Sequence, residues 1–140
     1  MRQQDIAYEL AKKAHEGQFR RDGVTPYFNH VVDVARIVQM RGGDDLAIAT
    51  ALLHDTAEDG VLSFSQMKDA GIEDEIIEAV KLLTLDKEFT YDQNIKFIKL
   101  SDNDIAIKVK IADNLSNLSD APTDRQILKY AKSLQILMSY

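Results

Sequence analysis

The sequence contains no cysteine and no tryptophan, and only two prolines and six glycines in 140 residues. Without cysteine there is no thiol nucleophile, no thiolate zinc site, no iron–sulfur cluster and no disulfide, which fits a reducing compartment. Long apolar runs are missing too. No hydrophobic stretch approaches the length of a membrane span or follows a charged start as a signal segment does. Positive charge is in deficit, with 17 Lys and Arg against 23 Asp and Glu, a net charge of −6 and a pI near 5.0. That balance argues against a general nucleic-acid or membrane-surface binder, which carries a basic face. What remains is ordinary globular material, 45% hydrophobic and 29% charged, in a chain able to bury roughly 68–70% of its unfolded surface without staples. The expectation is one soluble cytoplasmic domain over residues 1–140, with no nucleic-acid and no membrane partner.

Almost every segment reads at helical period. Apolar residues at Ile6, Ala7, Leu10, Ala11 and Ala14 make one face of a helix from Gln3 to Glu16. A polar turn-forming stretch, Gln18 to Thr25, follows around Asp22-Gly23. Pro26 opens a second helix to Met40, with Val32, Ala35, Ile37 and Val38 inward and Gly42-Gly43 as its stop. A third helix, Asp44 to about Thr56, is apolar nearly all round and should be the central buried one. Further helices are expected at Ser63–Gly71, Glu73–Leu83, Thr90–Leu100 and Asp102–Asn117. A last one starts at Thr123 or Asp124, with Ile127, Leu128, Ala131, Leu134 and Leu137 on a single face. No hairpin signal, alternating strand, repeat or low-complexity linker interrupts them, so the fold class is all-α.

Polar residues that break the apolar faces carry the chemical information. His54 and Asp55 come directly after Ala51-Leu52-Leu53, where a charged carboxylate is costly unless paired, hydrogen-bonded or metal-bound. Asp113 stands one residue past the stripe Ile105, Val109 and Ala112, and His30 lies in the first turns of the second helix. Two imidazoles with two carboxylates suit a divalent first-row metal and leave positions for water and substrate. The same His-Asp pair reads equally as a satisfied core histidine beside a helix-terminal carboxylate. Glu58 and Asp59 follow His54 and Asp55 by four residues and share their face if the helix continues. There a carboxylate accepts a proton from an activated water and a second orients it; the plain alternative is a solvated helix end. Arg20 and Arg21, beside the Asp22-Gly23 turn, are guanidinium groups suited to phosphate, or simply a solvated loop. Lys110 is a candidate positive charge for phosphate, or a surface lysine.

Taken together and in order, several segments resemble the RelA/SpoT-type hydrolase domain, a branch of the HD-domain metal-dependent phosphohydrolases. They are Ala14-His15-Glu16-Gly17-Gln18, Arg20-Arg21-Asp22-Gly23, Pro26-Tyr27-Phe28-Asn29-His30, Ala51 through Asp59, Val80 through Thr84, and Val109 through Leu118. The resemblance implies the all-α HD-domain helical bundle. It implies His30, His54, Asp55 and Asp113 as metal ligands, normally of Mn²⁺, and Glu58 with Asp59 as the pair that activates the attacking water. Arg20, Arg21 and Asn117 match substrate-side residues, with Lys110 a further candidate. The implied reaction is hydrolysis of the 3′-pyrophosphate of guanosine tetra- or pentaphosphate, giving GDP or GTP and pyrophosphate, by a stand-alone small hydrolase without synthetase or regulatory domains. Val31 stands where the family commonly has proline, the Gly23-to-Pro26 spacing differs from the commonest form, and Asn114 replaces a basic residue. These departures leave every implied ligand and acid in place, and leave open another nucleotide or phosphoester as substrate.

Overall fold

Ser63, Thr90 and Thr123 each accept a hydrogen bond from the amide three residues on. Gln66, Gln93 and Gln126 each return one to the cap's own amide. These reciprocal capping boxes satisfy helix-end donors locally, and they start three of the helices where the sequence predicts. In a computed structural model, which describes residues 1–58 and 60–139, the described residues form eight helices. They are α1 (Gln3–Ala14), α2 (Tyr27–Met40), α3 (Asp45–Leu53), α4 (Phe64–Asp69), α5 (Asp74–Leu83), α6 (Tyr91–Leu100), α7 (Asp104–Leu118) and α8 (Asp124–Met138). Among the described residues there is no strand, only an isolated bridge between Phe19 and Pro26, so the class is all-α. No described helix is long and apolar enough to cross a membrane.

Helix α3 is central because Ala47 through Leu53 are all buried, and α1, α2, α5 and α7 pack around it. A helix with no solvent face has no amphipathic stripe, which is why its sequence reads apolar all round. The two acids at its start divide their labour. Asp44 caps α3 through the Ala47 amide at 3.0 Å. Asp45 instead takes the Gln3 and Gln4 amides at 2.9 Å each and so caps the neighbouring helix α1. Gln3 in turn bonds the Glu73 amide and the Gly71 carbonyl, tying α1 to the α4–α5 connection.

Helix α2 ends in a Schellman turn: the Gly42 amide bonds the Gln39 carbonyl and the Gly43 amide bonds the Val38 carbonyl. Gly42 takes a positive φ there. A Cβ on Gly43 would meet Val38 Cγ1 at 2.4 Å, so the close approach requires glycine.

Two inward faces differ from the expected ones. On α2 the core residues are Val31, Val34, Ala35 and Val38, whereas Val32 is 37% exposed. On α8, Ser133 and Leu137 are buried, Tyr130 and Leu134 are half-buried, and Ile127, Leu128 and Ala131 are exposed. The inward stripe runs Gln126, Tyr130, Ser133, Leu137, one residue and so about 100° round from the expected face. Packing on α6 and α7, with Tyr130 edge-on to Tyr91, outweighs the apolar pattern.

Candidate metal centre

Helix α3 stops at Leu53 rather than Thr56, and residues 54–58 form turns. Side chains end it. His54 Nδ1 donates to the Ala51 carbonyl, while the hydroxyl and the amide of Thr56 both bond the Leu53 carbonyl. Carbonyls that the next helical turn would have used are thereby occupied. Glu58 therefore does not share a helix face with His54. Its Oε1 accepts the Leu85 amide at 2.8 Å, and Asp59 lies outside the described residues.

The same turn aims His54. A carbonyl oxygen only accepts, so Nδ1 carries the hydrogen and Nε2 of the neutral ring presents its lone pair inward. Nε2 lies 3.1 Å from Asp55 Oδ2 and 3.5 Å from Asp113 Oδ1. Yet among the described residues this buried nitrogen makes no well-directed hydrogen bond. His30, from the first turn of α2, brings its Nε2 to 3.0 Å from Asp113 Oδ1, on α7. Potential ligand atoms of His30, His54 and Asp55 all fall within 4.8 Å of one another. Two imidazole nitrogens and two carboxylates, delivered by α2, the end of α3 and α7 and mostly buried, fit a divalent cation. The orphaned His54 Nε2 is the observation that favours it.

Charges around the cluster act on one another. Burial alone would lower His54, but Asp55, with Asp113, overcomes it and holds the imidazole well above its ordinary value. Burial would raise Asp55, and the His54 charge beside it, with the Tyr27 hydroxyl's hydrogen bond, brings it down to about 2. Asp113 is likewise pulled far below its usual range, against burial, chiefly by Lys110. Lys110 is not a surface lysine. It is 7% exposed, with Nζ 3.0 Å from Asp113 Oδ2 and over the Tyr91 ring, and it does not line the cavity above the cluster. It is a buried counter-ion to Asp113. Partial desolvation raises Glu58; the Leu85 amide opposes this and the Asp55 charge adds to it.

That cavity is about 380 Å³, within the range of small-ligand sites. His30, Asp55 and Asp113 form its floor, and Arg20, Arg21 and Asn117 line it, as do Phe19, Tyr27, Gln126 and Tyr130. Arg20 is anchored by Nε to Asp120 Oδ2 at 2.9 Å. Asp22 holds the loop turned by accepting the Val24 and Thr25 amides and the Thr25 hydroxyl. Asn117 Nδ2 is 3.4 Å from Asp113 Oδ1. Asn114 faces away, donating to the Tyr91 hydroxyl, so its departure from a basic residue does not alter the cavity. Tyr27, Gln126 and Tyr130 went unrecognised from sequence as site residues. The i, i+4 spacing of Gln126 and Tyr130 was available as a signal, but only once α8 was rotated correctly.

Comparison with known proteins agrees with this geometry. The HD-domain family matches residues 7–136. A guanosine-3′,5′-bis(diphosphate) 3′-pyrophosphohydrolase of Haemophilus influenzae is 35% identical over 117 residues, covering 78% of this chain and 17% of that protein. A GTP pyrophosphokinase of Brucella melitensis is 33% identical over 121 residues, covering 80% of this chain and 16% of its own length. The chain thus spans about a sixth of the curated relatives it matches. A solved structure, described as a metazoan ortholog of SpoT that hydrolyzes ppGpp and plays a role in starvation responses, superposes with a TM-score of 0.84. It is 26% identical, over 99% of this chain and 87% of that one. Matched along nearly all its length by one family and folded as that family's helical bundle around a His-Asp centre, the chain belongs to the HD-domain family.

Proposed function

We propose that residues 1–140 act as one unit that hydrolyses the 3′-pyrophosphate of guanosine tetra- or pentaphosphate, giving GDP or GTP and pyrophosphate, in the cytoplasm and with Mn²⁺. The observation that carries this reading is the His30–His54–Asp55–Asp113 cluster, of which His30, Asp55 and Asp113 line a cavity rimmed by Arg20 and Arg21. The named relatives include both a pyrophosphohydrolase and a pyrophosphokinase, each far longer than this chain. The superposed ortholog is of comparable length and is described as hydrolysing ppGpp, which favours hydrolysis within a chain of this size.

His30, His54, Asp55 and Asp113 would hold the metal, with Lys110 balancing the charge on Asp113 and Tyr27 steadying Asp55. A bound divalent cation neutralises phosphate charge and makes water a better nucleophile near neutral pH. Glu58, whose raised pKa suits a proton acceptor working nearer neutrality, takes the proton of the attacking water, and Asp59 assists it. Arg20 and Arg21 bind the phosphates, Asn117 orients the substrate beside Asp113, and Lys110 acts on phosphate only through that carboxylate.

Pyrophosphate release from ppGpp by the purified protein, with and without Mn²⁺, tests the reading. Release that requires Mn²⁺ and disappears with chelator is expected. No release from a protein that still binds stoichiometric metal moves the substrate to another nucleotide or phosphoester, and no release with no metal bound refutes the enzymatic reading.

A further inference from the structure

His30 contacts more than its neighbouring carboxylate. Its second nitrogen, Nδ1, lies 3.1 Å from Ser116 Oγ, and that hydroxyl lies 2.7 Å from Asp33 Oδ2. Ser116 is 3% exposed, on α7 three residues past Asp113, and Asp33 is on α2 almost one turn past His30. Asp33 lies outside the motif segments, and Ser116 lies within one of them with no role assigned to it.

The direction of each hydrogen bond follows from donor and acceptor chemistry. Burial would raise the Asp33 carboxyl, but hydrogen bonds from Arg36 and Ser116 outweigh it and hold it below its ordinary value, so near neutral pH it only accepts. The Ser116 hydroxyl hydrogen is therefore committed to Asp33. What Ser116 offers His30 is an oxygen lone pair, which requires hydrogen on Nδ1. Nε2 faces Asp113 Oδ1 at 3.0 Å, and with hydrogen on Nδ1 it is the nitrogen whose lone pair a cation seated there would take.

We propose that Asp33 and Ser116 form a positioning relay that fixes His30 in the Nδ1–H tautomer and presents Nε2 as a metal ligand. This deepens the metal-centre reading above and rests on it. His54 obtains the same tautomer from a backbone carbonyl of its own helix; His30 obtains it from side chains of two different helices, so its tautomer is open to mutation. Partners of this kind on ligand imidazoles typically govern metal affinity by about 10- to 100-fold.

The test uses the full chain with ¹⁵N-labelled histidine, in which His15, His30 and His54 are the only three signals. In wild type loaded with diamagnetic Zn²⁺, the His30 ring should show a hydrogen on Nδ1 that exchanges slowly with solvent. Ser116→Ala should make that hydrogen exchange faster and lower Mn²⁺ affinity about 10- to 100-fold by titration calorimetry. Asp33→Ala should do the same more weakly, and Ser116→Thr, which keeps the hydroxyl, should restore both readouts. Thermal melts identify any variant that fails to fold, and Asp33→Asn, which keeps an acceptor at the same place, then supplies the comparison. The relay is overturned if Zn²⁺-loaded His30 carries its hydrogen on Nε2, or if Ser116→Ala keeps the slow exchange and wild-type affinity. Should wild type take up neither Mn²⁺ nor Zn²⁺, the metal-centre reading fails instead, a result distinct from metal binding that Ser116→Ala leaves unchanged.

Discussion

Replacing Lys110 by methionine removes one charge from a buried pair while keeping nearly the same length of side chain. At 3.0 Å and an effective dielectric constant near 20, the attraction between Lys110 and Asp113 is about 5.5 kcal/mol before desolvation is counted. Deleting one partner of such a pair costs about 3–5 kcal/mol, because the other charge stays buried without compensation. The lower end applies here, since His30 and His54 remain beside Asp113. For a chain of this size, about 3 kcal/mol lowers the melting temperature by roughly 10 °C. A cation at the cluster supplies positive charge to the same carboxylate, so saturating Mn²⁺ should stabilise Lys110→Met by at least about 1 kcal/mol more than wild type. Differential scanning fluorimetry with chelator and with excess Mn²⁺ measures both quantities. A variant within about 2 °C of wild type without metal, or an equal gain from Mn²⁺ in both proteins, would refute the assignment of Lys110 as counter-ion to a metal ligand.

Three other outcomes are expected from the same geometry. Glu58→Gln should keep stoichiometric Mn²⁺ and lose about 10²–10⁴-fold in kcat, whereas Asp113→Ala should lose metal and turnover together; metal analysis beside steady-state kinetics separates the two, and near-normal turnover in Glu58→Gln would remove it from the chemistry. Arg20→Ala should mainly raise KM, and an unchanged KM would take Arg20 off the phosphate. The raised His54 contributes stability that is fully present below its unfolded value of 6.5 and lost as pH rises through its folded value, while Asp55 contributes stability present above 3.8 and lost as pH falls towards about 2. The metal-free protein thus holds both contributions between those values, and because metal must displace the His54 proton, Mn²⁺ affinity should rise by up to about tenfold per pH unit until the raised folded value of His54 is passed, and level off above it. Calorimetric titrations giving a flat affinity across roughly pH 6 to 8 would contradict this.

Much of the architecture was legible because helix starts are written locally. Ser63, Thr90 and Thr123 cap through residues three positions away, and the apolar surround of α3 announces burial by itself. The candidacy of His30, His54, Asp55 and Asp113 was legible where polar residues interrupt apolar faces, and the ordered family motifs joined the four into one set. Long-range choices were less so. Helix α8 offers two adjacent stripes, and the Tyr130 contact with Tyr91, not the apolar count, selects between them. Where α3 ends depends on which side chains claim its last carbonyls, a matter of hydroxyl and imidazole geometry rather than periodicity. Lysine composition argues for solvent, so the burial of Lys110 was hidden although its i, i+3 spacing from Asp113 was in plain view. Ser116 looks like any helix serine until α2 is brought against it.

The wide separation in sequence of the converging side chains has a mechanical consequence. His30 and Asp113 are 83 residues apart, and a cation gripped by both closes a loop comparable to that of a long-range disulfide, worth about 4–5 kcal/mol in lost chain entropy by the same reasoning. With the proposed cation bound, a sequence without cysteine would carry a removable staple. Its resistance to unfolding and to proteases would then be set by free metal concentration rather than by redox potential, and chelation would loosen α2, α3 and α7 from one another at a single point.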